Sequence, residues 1–219
     1  MTDLIVACVR TGTVYGIEYV TKLRNMVARH MHQSYTMVCL TDQPERCDAV
    51  AFVDISELKL PGWWGKMALF EPLWRIGSKV IYLDLDTVLI RAIDRLADVQ
   101  GEFAICENFT RLLTNPKYPC KYNSSVMVIG GGMGSFIWHA FDLRRDLLMM
   151  THANFGDQHC LESLYPSARL LQGMLPNNFF LNYRQITSHL PKEPVAIINF
   201  GGKHKPHNCP IPWVQEQWA

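Results

Sequence analysis

The first eighty residues alternate short apolar runs with amphipathic stretches, and that alternation limits the folds open to the chain more than any other feature. Leu4 to Val9 is apolar without interruption and gives way to Arg10-Thr11-Gly12, the pattern of a strand buried on both faces and followed by a loop. From Ile17 the spacing changes. Ile17, Val20, Leu23, Met26 and Val27 recur at helical intervals, with Lys22, Arg24 and Arg29 between them. Tyr35 to Leu40 is strand-like again and stops at Thr41-Asp42, and a third short run covers Ala49 to Val53. Pro61-Gly62 marks a loop, Trp64 to Trp74 predicts a helix with Met67, Phe70 and Trp74 on one side, and Lys79 to Leu83 is a strand that ends on Asp84. Strand alternating with helix predicts an α/β fold with a mostly parallel central sheet and flanking helices. In such sheets ligands bind at the carboxyl ends of the strands, which is where Gly12, Asp42 and Asp84 fall.

Beyond Asp86 the pattern loosens. Phe103 to Glu107 and Ser125 to Ile129 predict strands, Phe136, Ala140, Leu143 and Leu147 mark a helix face, and Ala196 to Phe200 is a last strand before a tail rich in Gly, Pro and His. Without a repeat or a convincing linker, residues 1–219 read as one domain. A net charge of +1 without a basic stripe argues against nucleic acid as a partner. No apolar stretch approaches the ~20 residues of a membrane span. The first residues, Met1-Thr2-Asp3, lack the positive region of a signal peptide. The 7 cysteines are odd in number, have no CxxC spacing, and in part sit inside apolar runs, as free thiols in a reducing compartment do. A cytoplasmic protein is the expectation.

Asp84-Leu85-Asp86 follows the apolar run Val80-Ile81-Tyr82-Leu83 and precedes Thr87-Val88-Leu89-Ile90. Two carboxylates two residues apart at a strand end can converge on one hard cation where the backbone bends. Mn²⁺ or Mg²⁺ takes oxygen ligands, commonly completed by substrate phosphates. Burying two carboxylates between apolar runs is costly unless a counter-charge is supplied. On its own the pair also fits a solvated turn.

Further segments carry a resemblance. Val80 to Asp86 resembles the metal-binding strand of GT-A fold glycosyltransferases, glycosyltransferase family 8 in particular. Tyr122-Asn123-Ser124-Ser125-Val126 is similar to that family's strand facing the sugar, Gly156-Asp157-Gln158-His159 to its Asp-Gln-Asp segment, and Gly202-Lys203-His204-Lys205-Pro206 to its late Gly-x-x-Lys-Pro. Tyr15 to Val20, Val38 to Asp42 and Trp63 to Lys66 resemble a phage and bacterial branch of predicted glycosyltransferases. The order of these segments along the chain is the family's.

The resemblance implies a metal-dependent hexosyltransferase acting on a nucleoside-diphosphate sugar, a UDP-sugar first of all, with retention of configuration. The sequence does not name the acceptor. Asp84 and Asp86 would hold Mn²⁺ or Mg²⁺, and Arg10, Tyr15, Lys66, Asp84, Asn123, Gly202 and Lys205 would bind the nucleotide-sugar. Asp157 and Gln158 would act at the donor sugar. One position departs from the family: its metal-binding histidine is Asn199 here, with His204 and His207 as nearby substitutes. Each residue also has a plainer reading. Arg10 and Tyr15 fit loop surface, Trp63-Trp64 a helix start, Asn123 a satisfied turn, Asp157 a helix cap, and Lys205 a solvated tail. Two rival functions remain open on the residues alone. Asp84-x-Asp86 also fits the nucleophile of a haloacid-dehalogenase-like phosphatase, and Asn199 suits a sugar-nucleotide binder without turnover.

Overall fold

The computed structural model describes residues 4–45, 47–75, 77–133 and 135–219. Residues 1–3, from which the reading of the N-terminus starts, lie outside them. The first half runs β1 (Leu4–Arg10), α1 (Ile17–His30), β2 (Thr36–Thr41), β3 (Ala51–Asp54), β4 (Lys79–Leu83) and β5 (Thr87–Leu89). The second runs β6 (Phe103–Glu107), α2 (Phe109–Leu113), β7 (Tyr122–Ile129), α3 (Phe136–Asp142), α4 (Arg145–Thr151), α5 (Asp157–Leu164), β8 (Arg169–Leu170), β9 (Phe180–Asn182), β10 (Ile197–Asn199) and α6 (Pro212–Gln217).

Seven strands form one sheet in the order β3-β2-β1-β4-β7-β6-β8. Neighbours are parallel except at β7, which is antiparallel to both β4 and β6. A second sheet has the order β5-β10-β9. The uninterrupted apolar runs of the sequence are explained by the two layers that the large sheet separates. Along β1, Leu4, Val6 and Cys8 enter one core and Ile5, Ala7 and Val9 the other. Strand β4 divides likewise, Ile81 and Leu83 against Val80 and Tyr82. The first core is closed by the small sheet and by α1, whose Val20, Leu23, Met26 and Val27 are buried as the spacing predicts, while Ile17 is half-buried and Tyr19, outside the predicted stripe, is buried with them.

Two expectations change. Gly62–Phe70 forms 3₁₀ turns rather than an α-helix reaching Trp74. Pro72 explains where it stops: the residue before a proline is pushed out of the helical region, and Glu71 is extended at φ −67° and ψ 124°. Met67 and Phe70 are buried as expected, whereas Trp74 is half-buried and donates its indole N–H to the carbonyl of Ala68 at 2.9 Å. The other change concerns Phe136, Leu143 and Leu147, which face solvent. The chain breaks between α3 and α4, and the buried side is Ile137, Trp138, Phe141 and Leu148. Apolar residues mark two sides of this segment, and the one carrying two aromatic rings is buried, with Phe141 stacked on Trp64 at 6.1 Å.

Among the described residues all 7 cysteines are free thiols, and no helix is long and apolar enough to cross a membrane.

Candidate active site

Strand β1 ends at Arg10, β2 at Thr41 and β4 at Leu83, so the loops that follow meet along one edge of the sheet. Asp84-Leu85-Asp86 is the turn by which the chain leaves the large sheet and enters β5 of the small one. The Asp84 N–H donates to the carbonyl of Ser125 at 2.9 Å and the Thr87 N–H to that of Asp84 at 3.0 Å, while Leu85 is buried. This anchoring turns both carboxylates toward one cleft of about 630 Å³.

The cleft brings together all the sequence candidates except Arg10 and Asn199. Tyr15, Lys66, Asp84, Asp86, Asn123, Asp157, Gln158, Gly202 and Lys205 line it. A local irregularity explains how Asn123, Ser124 and Ser125 all reach it, since in a regular strand consecutive side chains alternate between faces. The β6–β7 register slips between Ile105, which pairs with Met127, and Cys106, which pairs with Asn123. The bulged segment bends away from β6 and presents three neighbours at once.

Inside the cleft the carboxylates are held by ammonium groups. Lys66 Nζ lies 2.8 Å from Asp84 Oδ1, 4.0 Å from Asp157 Oδ2 and 3.2 Å from Ser124 Oγ. Lys205 Nζ is 2.6 Å from Asp86 Oδ2, which also accepts the Tyr15 hydroxyl at 3.0 Å. The Tyr82 hydroxyl donates to Asp84. Burial pushes the Asp86 carboxyl above the ordinary carboxylate range and Asp84 adds to the rise, while Lys205 and Tyr15 oppose it. Asp157 is also raised, first by burial, against the pull of Lys66. Burial works to lower Lys66, but Asp157 and Asp84 outweigh it and hold this lysine above its usual value. One oxygen of Asp157 is buried without a hydrogen-bond partner. With every group ionised, the three carboxylates and two ammonium groups that line the cleft leave a formal excess of one negative charge.

Arg10, which the resemblance implies as a nucleotide-sugar contact, does not line the cleft. Its guanidinium is buried and donates to the carbonyls of Tyr15 and Gln43 and to the Glu45 carboxylate, at 3.0, 3.1 and 2.6 Å. It fixes the loop that presents Tyr15 and is not itself in the cleft. Asp42 likewise closes the loop by accepting the Gly12 N–H at 3.0 Å. Asn199 is buried on β10 directly opposite Thr87 and lines an adjoining cavity; neither polar atom of its side chain has a partner. His204 lines that adjoining cavity too, and His207 bonds Tyr19. Among the described residues no group of three His, Cys, Asp or Glu side chains is placed to hold a metal.

Several lining residues were not singled out as site residues in the sequence. Tyr82 carried a signal, as the one polar-tipped residue in an otherwise aliphatic run. Trp63 is exposed at the cleft while its neighbour Trp64 packs into the core, a division that spacing alone does not show. Tyr118 and Phe155, edge to face at 5.6 Å, meet over the cleft only through the folding of distant segments.

No protein-family model matches the sequence, and no match is found among curated proteins. Solved structures do match. The galactosyltransferase LgtC, determined in complex with donor and acceptor sugar analogues, superposes with a TM-score of 0.72 at 14% identity, over 98% of this chain and 95% of that one. The glycosyltransferase GlyE of Streptococcus pneumoniae TIGR4 gives 0.66 at 16% identity over 98% of this chain and 60% of its own. The bifunctional glycosyltransferase WbbM gives 0.64 at 14% identity, and this chain spans 51% of its length. At such identities the likeness is one of fold, and the fold is that of the GT-A glycosyltransferases.

Proposed function

We propose that the protein is a glycosyltransferase that takes a nucleoside-diphosphate sugar, a UDP-sugar first, into this cleft together with a divalent cation. The observation that carries the reading is the convergence of motif residues from six separate stretches of chain on one concave site within a GT-A fold. The excess negative charge of the cleft supports a cation as well, because a diphosphate brings more of the same sign.

The donor atoms present fit a hard ion in kind. Asp84 and Asp86 share the cleft, and the amide oxygen of Asn199, one strand away, is buried and unpartnered. Those three residues would hold Mn²⁺ or Mg²⁺, which when bound supplies Lewis acidity to the diphosphate leaving group. Lys205 reaches from Asp86 to the diphosphate, a flexible point charge meeting charge that grows as the glycosidic bond breaks. Gly202, at φ 61°, offers bare backbone beside it. Asp157 and Gln158 hold and orient the donor sugar, and Tyr15 and Lys66 keep the carboxylates aimed. A phosphatase reading is not favoured. Such a nucleophile sits on the first strand, whereas Asp84 follows the fourth and is clamped by Lys66.

The test is calorimetry and donor hydrolysis with candidate nucleotide-sugars, with and without Mn²⁺, in wild type and Asp86→Ala. Binding is expected only with the cation, and Asp86→Ala should lower turnover about 100-fold or more. Equal binding by both proteins, or binding that ignores the metal, counts against the metal bridge. Proton NMR of the first-formed product is expected to show the donor's own anomeric configuration, because Asn123 and Asp157-Gln158 match the segments that line the donor in family 8, a retaining family; an inverted product would leave the fold and the donor site standing and remove the resemblance to family 8.

A further inference from the structure

A second cavity of about 400 Å³ opens beside the cleft and shares Asn123, Gln158 and Gly202 with it. Its volume is that of a small-molecule site, and its charge is the reverse of its neighbour's. No acidic side chain lines it among the described residues, whereas Arg184, Lys203 and His204 do. Arg184 donates its Nε to the Tyr183 hydroxyl at 3.1 Å and its guanidinium lies 5.6 Å from the centroid of that ring, while its terminal nitrogens have no hydrogen-bond or ion-pair partner among the described residues. The Lys203 ammonium is likewise unpaired among them, its backbone carbonyl alone being engaged, by Asn208 at 3.2 Å. Both residues are exposed at the mouth.

The positions are built rather than loose. Tyr183 stacks on Phe200 at 5.9 Å and on His204 at 4.5 Å. Gly201 and His204 pair across a tight turn whose Gly202 has φ 61°, which sets Lys203 at its tip. Asn182 caps the turn that carries Arg184, accepting its N–H at 3.2 Å. A planar guanidinium tied at Nε and free at its end is suited to a carboxylate or phosphate.

Resting on the glycosyltransferase reading, we propose that this cavity receives the acceptor and selects an acidic saccharide, one bearing a carboxylate or a phosphate. The donor sugar, held by Asn123 and Gln158, lies at the boundary between the two cavities. An acceptor hydroxyl oxygen bonds the anomeric carbon as that carbon's bond to the diphosphate breaks, and the hydroxyl proton leaves on the diphosphate oxygen. The cationic mouth acts on the acid group and takes no part in bond making.

The experiment compares transfer to methyl glucuronide, glucose 6-phosphate and methyl glucoside in wild type, Arg184→Gln and Lys203→Gln. Wild type is expected to show a KM about tenfold lower for at least one acidic probe than for the neutral one, the size of one charge-assisted hydrogen bond. The preference should collapse toward unity in Arg184→Gln and be weaker in high salt. The two acidic probes distinguish a carboxylate from a phosphate as the recognised group. No acid preference in wild type, or one that survives in both variants, overturns the acceptor assignment while leaving donor hydrolysis, and so the glycosyltransferase reading, intact. A variant that raises the donor KM as much as the acceptor KM makes the cavity part of the donor site and overturns it too. Absence of donor hydrolysis with any nucleotide-sugar removes both.

Discussion

Asp157 illustrates what the cleft costs the residues that form it. It is buried with an unpartnered oxygen, its nearest counter-charge is Lys66 at 4.0 Å, and its carboxyl is held above the usual range chiefly by burial. A carboxyl that is harder to ionise in the folded than in the unfolded chain contributes stability below its unfolded value, near 4, and loses it as pH rises through its raised folded value. The charge is therefore a liability at neutral and alkaline pH. Asp157→Asn keeps the shape, removes that cost and leaves Lys66 paired with Asp84. Its melting temperature should exceed that of wild type by about 2–4 °C for each kcal/mol relieved, with the larger gain at pH 8 than at pH 5, while donor turnover falls. A melting temperature lower than wild type at pH 8 would mean that the carboxylate stabilises the fold.

At the scale of elements, the start of α5 is fixed by Gly156. Its φ of 70° and ψ of −153° suit glycine alone, and a Cβ there would lie 2.8 Å from Trp63 Nε1. Gly156→Ala is expected to lose about 1–3 kcal/mol of stability and to raise the donor KM by displacing Trp63 from the cleft. Trp63→Ala, at a position 55% exposed, should raise KM with little change in a urea transition. Equal stability losses in the two variants would contradict this division. The same elements show what was legible in the sequence. Strands β1, β2 and β4 were readable because burial on both faces leaves a continuous apolar run, and the strand ends then located Asp84 and Asp86. The motifs named most of the cleft, yet that Arg10 braces a loop was not legible, because its partners Gln43 and Glu45 come from the loop after β2. The slip in β7 left no mark in the composition, and α3 and α4 carry apolar residues on two sides with nothing local to say which is buried. The cationic cavity, assembled from Asn108, Asn182, Arg184 and Lys203, exists only once the small sheet has formed.

Seen whole, the molecule is well defended along its sheet edges. The large sheet ends on β8, two residues long, and on β3, four residues ending in Asp54, and neither offers enough free backbone to recruit another chain. The exposed apolar surface lies elsewhere. Phe136, Leu143, Leu147 and Met150 stand on or beside α3 and α4 with exposures of 61%, 84%, 55% and 72%. Exposed apolar side chains concentrated in one segment bear on colloidal behaviour. In concentrated solution the protein should self-associate reversibly through its helices, a net charge of +1 offering little repulsion against it, rather than form strand-paired fibrils. Light scattering against concentration checks this, and Leu143→Glu together with Leu147→Lys should raise the threshold at which scattering grows, with the melting temperature almost unchanged because neither side chain is in the core.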